Sequence, residues 1–276
     1  MIIAAAAVTA ISLAGRGGPA TSGSAPGAST ATSTEAAAAA AWMHDQVSPD
    51  ATVACDPLMC KALTRHGFPG RKLQLITPSS SYPNAQIVVE TPVVRRQFGS
   101  SLAVAVAPEA LASFGSGSHQ VVIRIVAPSG AAAYRAQLAK DLQSRRVGGR
   151  ALLLSRFVTA TALARRQLLA GKVDTRLITV LFAIASREKV SILSFGPQTA
   201  GQSPGLPLRL AFLASYDQAA HVGQPDYVRT LQAALRGGPS TFRPSSARLE
   251  SQHGKRVFYI SFLAPSPLGL WNGAQP

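Results

Sequence analysis

The two cysteines of the chain, Cys55 and Cys60, lie five positions apart and could form a covalent link. In an oxidising compartment this spacing can bring two Cα atoms within the about 4.4–6.8 Å that a disulfide requires. Two reduced, buried thiols in a cytoplasmic protein are the alternative. A redox dithiol usually has the closer CxxC spacing, and a metal site would need more ligands, of which only His66 is near in sequence. We therefore predict a structural disulfide.

Carboxylates that could act as a catalytic pair are few, because the chain has only 12 Asp and Glu residues. Asp56 and Asp174 both stand at predicted helix starts, where N-capping and the helix dipole explain an acidic residue. An acid–base role for either residue is the catalytic alternative. The five histidines are scattered and the sequence contains no HExxH, and the stretch Gly115–Ser118 does not have the spacing of GxSxG. We predict no metal and no cofactor.

The chain carries a formal charge of +15, from 27 basic residues of which 21 are Arg. The excess is spread along the chain, and its Arg and Ala richness is typical of a GC-rich genome. The pairs Arg145–Arg146 and Arg165–Arg166 could bind anions, although a solvated helix face is the commoner explanation. Aromatic residues that could stack on bases are only 6% of the chain, so a nucleic-acid surface is not favoured.

The first 34 residues do not resemble a fold. Residues 1–15 form a short, uncharged apolar run, which predicts an export signal or the remnant of a membrane anchor. Residues 16–34 contain only Gly, Pro, Ala, Ser and Thr after Arg16, so we predict a flexible tether. The folded part should therefore begin near residue 35.

Strands and helices alternate over residues 35–150, which predicts an α/β domain with a mostly parallel sheet covered on both sides. The glycine-rich stretch FGSGSH precedes a predicted strand and should be a turn rather than a phosphate-binding loop. The predicted helical segments of this domain are 35–47, 57–66, 92–98, 109–114 and 130–146. The predicted strands are 52–55, 72–77, 86–90, 101–107 and 120–127.

Residues 151–264 have a different pattern, which predicts a smaller α+β subdomain with antiparallel strands, joined to the first domain after a turn at Gly148–Gly149. One continuous α/β domain is the alternative. Its predicted strands are 151–154, 190–195, 208–214 and a hairpin of 247–250 with 256–264. Its predicted helices are 161–170, 173–188 and 226–235. Residues 265–276 should form a loose tail.

Six sequence segments can be compared with known families: VACDPLMC (53–60), RRQFGSSLAV (95–104), FGSGS (114–118), ARRQLLAGKVDTRL (164–177), SILSFG (191–196) and LAPSPLGL (263–270). They resemble a family of actinobacterial exported or membrane-anchored proteins of unknown function. The first half is also similar to the extracytoplasmic α/β domain that some bacterial polytopic glycosyltransferases carry after their membrane helices. The resemblance implies an envelope location and brings no catalytic residues.

These observations predict a secreted or membrane-tethered envelope protein that acts as a non-catalytic binding module. Its expected partner is another protein or an anionic component of the envelope, and its N-terminus would hold it at the membrane. An enzyme acting on a cell-wall polymer or glycan is the first alternative. Binding of nucleic acid or another polyanion through the basic surface is the second.

Overall fold

The computed structural model describes residues 27–77, 84–196, 199–215, 225–236, 239–252 and 255–270. The predicted export or anchor segment 1–15, the tether as far as residue 26 and the last six residues of the predicted tail lie outside the described residues. Mixed α/β content, the coarse form of the predicted fold class, is confirmed. The described residues contain eight α-helices and two five-stranded sheets.

The α-helices are α1 (Gly27–Gln46), α2 (Pro57–Arg65), α3 (Pro92–Phe98), α4 (Ser100–Ala105), α5 (Gly130–Leu154), α6 (Ala162–Leu169), α7 (Thr175–Ala185) and α8 (Pro225–Arg236). The strands of the first sheet are β1 (Val53–Cys55), β2 (Leu73–Leu75), β3 (Ile87–Glu90), β4 (Val106–Phe114) and β5 (Val121–Val126). The strands of the second sheet are β6 (Val158–Ala160), β7 (Val190–Phe195), β8 (Leu210–Ser215), β9 (Ser246–Gln252) and β10 (Lys255–Ser261).

The first sheet has the strand order β2-β1-β3-β5-β4 and is mixed rather than mostly parallel. Strand β1 pairs in parallel with β2 and β3, whereas β5 pairs antiparallel with β3 and β4. The side chains of Val53 and Ile87 join a core with α1 and α2, and those of Ala54 and Val88 join a core with α3 and α4. Both faces of this sheet are therefore covered, as its continuous apolar strands predict.

The second sheet has the strand order β6-β7-β8-β10-β9. Only β6 and β7 are parallel, and the other pairs are antiparallel, as we predicted for this half of the chain. The hairpin of β9 and β10 lies where the sequence placed it. Helices α5 to α8 contribute to a single large core against this sheet, with Leu177, Leu181, Phe258 and Ile260 among its buried residues. This core is distinct from the two cores of the first sheet.

The two sheets are connected through several contacts. The indole Nε1 of Trp42 in α1 donates to the Thr199 hydroxyl at 2.9 Å, and the amide of Ser113 in β4 donates to the Gly201 carbonyl at 2.9 Å. Val47 forms a parallel bridge with Ala264, beyond the end of β10. These contacts place the segment after β10 beside the first sheet.

Two neighbouring assignments in the first half are wrong. Residues 101–107, predicted as a strand, are mostly in helix α4, and residues 109–114, predicted as a helical turn, are in strand β4. A short run such as SLAVAVA, continuously apolar after its serine, does not distinguish the two states, because it has no further polar positions whose spacing would favour a strand or a helix. Pairing with β5 decides the outcome: Phe114 lies opposite Val121, and a register shift between Ala110 and Ala112 accommodates the irregular strand.

The predicted turn at Gly148–Gly149 and the strand at 151–154 are also wrong, because α5 continues through both. The predicted boundary between residues 150 and 151 therefore falls inside a helix. A Cβ atom on Gly149 would lie 2.5 Å from the carbonyl oxygen of Leu168 in α6. Only glycine leaves room for the backbones of the two helices to cross there, although glycine is about 1 kcal/mol less favourable than alanine within a helix.

The prediction of a flexible tether is wrong for residues 27–34, because α1 begins at Gly27. Small polar residues of low helix propensity extend the helix formed by the alanine run at 36–41. Ala39, Ala40 and Met43 are completely buried against the first sheet. Tertiary packing of this segment, rather than local propensity, supports the helix.

Candidate functional site

Cys55 and Cys60 form the predicted disulfide, with an S–S distance of 2.05 Å and a Cα–Cα distance of 5.3 Å. Cys55 is the last residue of β1 and is completely buried, and Cys60 lies in the first half of α2. The bond fixes the junction between this strand and this helix. The predicted disulfide is confirmed.

Asp56, between the two cysteines, is the N-cap of α2. Its Oδ1 accepts hydrogen bonds from the amides of Leu58 and Met59 at 2.9 and 3.0 Å. Its Oδ2 accepts a hydrogen bond from the hydroxyl of Thr91, which is itself the N-cap of α3. The carboxyl ends of parallel strands are the usual ligand site of an α/β sheet, but here the chain's own capping groups occupy it. This geometry favours a capping role for Asp56 over an acid–base role.

Asp174 is the N-cap of α7 and is 1% exposed. Its Oδ1 accepts from the amide of Arg176 at 2.8 Å and from Nε of Arg176 at 3.0 Å. Its Oδ2 accepts from Nη2 of Arg176 at 2.8 Å and from the hydroxyl of Ser266 at 2.6 Å. Burial alone would raise the pKa of Asp174, but the hydrogen bonds and charge of Arg176, together with Ser266, hold it below its ordinary value.

Arg176 is held on three sides. Besides Asp174, its Nη2 donates to the carbonyl of Leu263 at 3.1 Å, and its guanidinium carbon lies 4.8 Å from the centre of the Phe262 ring. A guanidinium over an aromatic face is an attractive arrangement. The cation is thereby fixed between the start of α7 and the segment that follows β10.

A second guanidinium, that of Arg209, is buried in the same cluster and is only 7% exposed. Its Nε and Nη1 have no hydrogen-bond partner. Burial lowers the pKa of Arg209 to about 10, while the charge of Asp174 raises it and the charge of Arg176 lowers it. Arg209 therefore stays protonated at neutral pH. We call Asp174, Arg176, Arg209 and Ser266 the arginine cluster: it sets two buried positive charges against one carboxylate.

Arg176 and Ser266 also line an open cleft of about 990 Å³. Tyr134 also lines the cleft. Burial, and secondarily the charges of Glu109 and Asp141, raise the pKa of the Tyr134 hydroxyl to about 12, and this hydroxyl is a hydrogen-bond donor at neutral pH. The other polar and charged side chains on the cleft wall are those of Ser48, Asp50, Gln86, Gln137, Ser240, Thr241, Arg243 and Ser245. The wall thus combines hydrogen-bond donors with two arginines and one exposed carboxylate.

A smaller cavity of about 580 Å³ lies beside Glu90, Arg95 and Arg124. Here the donors have partners: Nε of Arg124 lies 3.1 Å from Glu90 Oε1, and Nη1 of Arg95 donates to the Glu90 carbonyl at 2.8 Å. Burial raises the pKa of Glu90, and the charge of Arg124 and its hydrogen bond oppose the change. Because the guanidinium groups of Arg95 and Arg124 have hydrogen-bond partners, unlike the Nε and Nη1 groups of Arg209, this cavity is a weaker candidate than the cleft at the arginine cluster.

The predicted anion-binding arginines do not form one site. Arg145 is buried, forms a 2.8 Å ion pair with Asp141 and donates to the carbonyl of Gly171, so it joins α5 to the loop after α6. Arg146, Arg165 and Arg166 are exposed. Of the residues singled out in the sequence, only Asp174 belongs to the arginine cluster. Arg209 could have been noticed as a charged residue in the otherwise apolar stretch LRLAFLA (208–214), which the sequence predicts as a strand and in which β8 begins one residue later, at Leu210.

The described residues contain no group of three or more His, Cys, Asp or Glu side chains that could hold a metal ion. Within the same ranges, no helix combines the length and the apolar character needed to cross a bilayer. Comparison with known proteins found no matching family model, curated protein or solved structure.

Proposed function

We propose that this chain is an extracytoplasmic, non-catalytic binding module that holds an anionic ligand in the cleft beside Arg176. The ligand class is a carboxylate or phosphate group of an envelope component. The observation that carries the proposal is the surplus positive charge of the arginine cluster, in which Arg176 and Arg209 share the single carboxylate of Asp174.

A buried charge without a partner is costly, and proteins usually pair or hydrogen-bond such groups. The oxygens of Asp174 accept from Arg176 and Ser266, and its charge attracts Arg209 without a hydrogen bond, so the cluster carries one positive charge in excess. Arg209 does not itself line the cleft, but its charge lies close enough to interact with Arg176, and the two charges together would stabilise an anion at the wall formed by Arg176 and Ser266. The protonated hydroxyl of Tyr134 and the exposed Arg243 add further donors on the same wall.

The location of the protein is the second part of the proposal. The apolar start of the chain predicts export, and the Cys55–Cys60 disulfide suits an oxidising compartment. The resemblance to exported actinobacterial proteins supports the same location. The non-catalytic part of the proposal is supported by the carboxylates of Asp56 and Asp174, whose oxygens accept hydrogen bonds from capping and ion-pair partners.

Titration with inorganic phosphate tests the binding site. We expect the melting temperature of the full chain to rise with phosphate at constant ionic strength and to approach the logarithmic dependence of a single bound ligand. The variant Arg209→Met should lose most of this response, whereas Arg187→Met, at an exposed position, should keep it. An equal response in both variants would show a general salt effect and would contradict the proposed site.

A reporter fusion tests the location separately. A reporter that works only in the cytosol, fused to the C-terminus of the full chain, should be inactive in intact cells and accessible to added protease once the outer layers are opened. The two cysteines should resist alkylation until a reductant is added. A fully active, protease-protected reporter would refute the export proposal and leave the phosphate experiment unaffected.

A further inference from the structure

The stretch between Asp141 and Asp174 has an unusual charge pattern. Residues 142–173 contain seven basic side chains and no acidic ones. One of the seven, Arg145, is buried in its ion pair with Asp141. The other six are exposed: Arg146, Arg150, Arg156, Arg165, Arg166 and Lys172. Exposed basic side chains without acidic residues between them in the sequence are therefore concentrated in α5, in α6 and in the segments that follow these helices.

Large apolar side chains are exposed in the same stretch. Leu154 is 81% exposed and Val147 is 53% exposed, both in α5. The exposed positions 143, 146, 147, 150, 151 and 154 repeat at intervals of three and four residues, so they form one stripe along the helix. This stripe alternates arginine with apolar residues. In α6, Leu169 is 44% exposed and follows the exposed Arg165 by four positions.

The close crossing of the two helices brings these faces together. Gly149 packs against the backbone of Leu168, and a Cβ atom on Gly171, just after α6, would lie 2.9 Å from Cγ of Arg146. The exposed stripe of α5 therefore adjoins the C-terminal end of α6. We call the combined area the basic–apolar surface: Arg146, Val147, Arg150 and Leu154 of α5 with Arg165 and Leu169 of α6.

We propose that the basic–apolar surface docks onto an anionic lipid bilayer. Its arginines would contact lipid phosphates, and Leu154 and Val147 would enter the apolar side of the headgroup region, as in interfacial helices. The complementary charge of the lipid surface selects this occupant, because each basic residue near such a surface contributes about fivefold to the association constant. Nucleic acid would satisfy the arginines but would give the exposed leucines nothing to contact.

Vesicle sedimentation with the full chain tests the docking surface. We expect binding to vesicles of phosphatidylcholine with about one third phosphatidylglycerol, beyond any binding to pure phosphatidylcholine that the apolar N-terminal run produces. The double variant Arg146→Gln/Arg150→Gln should weaken the charge-dependent binding by about 25-fold. Leu154→Ser should weaken it by about tenfold, since it removes the most exposed apolar contact.

Two matched variants control for generic effects. Leu58→Ser alters an equally exposed leucine of α2, at 77% exposure, and Arg187→Gln removes an exposed charge after α7; both should bind as the wild type does. The proposal is wrong if the anionic lipid adds nothing, or if Leu58→Ser weakens binding as much as Leu154→Ser. It is also wrong if the arginine variant weakens binding while Leu154→Ser does not, since that result describes polyanion attraction alone. Phosphate binding in the cleft is independent of all these outcomes.

Discussion

Replacing Arg209 with methionine should stabilise the ligand-free protein while it removes phosphate binding. Methionine keeps an unbranched side chain in the same space and removes the charge together with the unpaired Nε and Nη1 groups. Burial lowers the pKa of Arg209 well below its ordinary value, to about 10, and this displacement corresponds to about 3 kcal/mol by which the fold disfavours the charged form. The attraction between Arg209 and Asp174 already contributes to this lowered pKa, so its loss in the variant needs no separate correction. We therefore expect the free energy of unfolding to rise by about 1–3 kcal/mol.

Thermal and urea denaturation in phosphate-free buffer measure this change. For a chain of this size the expected gain corresponds to a rise in melting temperature of about 2–10 °C. Arg187→Met, at an exposed position, should change the free energy of unfolding by no more than about 0.5 kcal/mol. Arg176→Met should instead destabilise the protein by about 3–5 kcal/mol, because it leaves the carboxylate of Asp174 buried without its ion-pair partner. A loss of stability in Arg209→Met would show that this guanidinium has an internal partner after all, and the argument for an unbalanced charge would fail.

Three further perturbations test other parts of the structure. Asp174→Asn should destabilise the protein by about 3–5 kcal/mol at neutral pH. The folded protein holds the pKa of Asp174 below its ordinary 3.8, so the stabilisation by this carboxylate is complete above about pH 5 and is lost as the pH falls through 3.8 and below. The free energies of unfolding of the wild type and of the variant should therefore converge as the pH is lowered. Replacing both Cys55 and Cys60 with alanine should cost about 2 kcal/mol, the entropy expected for so short a loop, and a urea midpoint equal to that of the wild type would contradict a structural role. Gly149→Ala should lower the melting temperature despite the better helix propensity of alanine, since its Cβ would lie 2.5 Å from the backbone oxygen of Leu168; an unchanged or higher value would mean that the helices separate easily.

Elements with strong local signals were predictable from the sequence. Helix α2 has Asp at its N-cap, Pro at its first position and a left-handed Gly67, with φ of 87°, after its end. Helix α3 begins in the same way with Thr91 and Pro92. These signals depend on a few neighbouring residues, so they need no knowledge of the rest of the fold. The disulfide was predictable for the same reason, because its two cysteines are close in sequence.

The wrong assignments share a different cause. The strand β4 is irregular and gains its identity from pairing with β5, and Gly149 is buried in a helix because another helix crosses there. A glycine pair in a single sequence is most simply a turn, and only the position of α6 shows that these glycines allow close packing. In both cases tertiary contacts override a reasonable local interpretation.

The arginine cluster shows the same limit at the candidate site. The local part of Asp174, its capping of α7, was predictable, whereas its partner Ser266 lies 92 residues away. Arg209 lies in the cluster because the parallel bridge between Val173 and Leu208 places the residues just before β8 beside the start of α7. A sequence can show that Asp174 is at a helix start, but it cannot show that a second guanidinium is buried beside the ion pair. The excess positive charge supports the proposed binding function. The Asp174–Arg176 ion pair alone could be explained by its contribution to the fold, whereas the additional buried charge of Arg209 destabilises the folded protein.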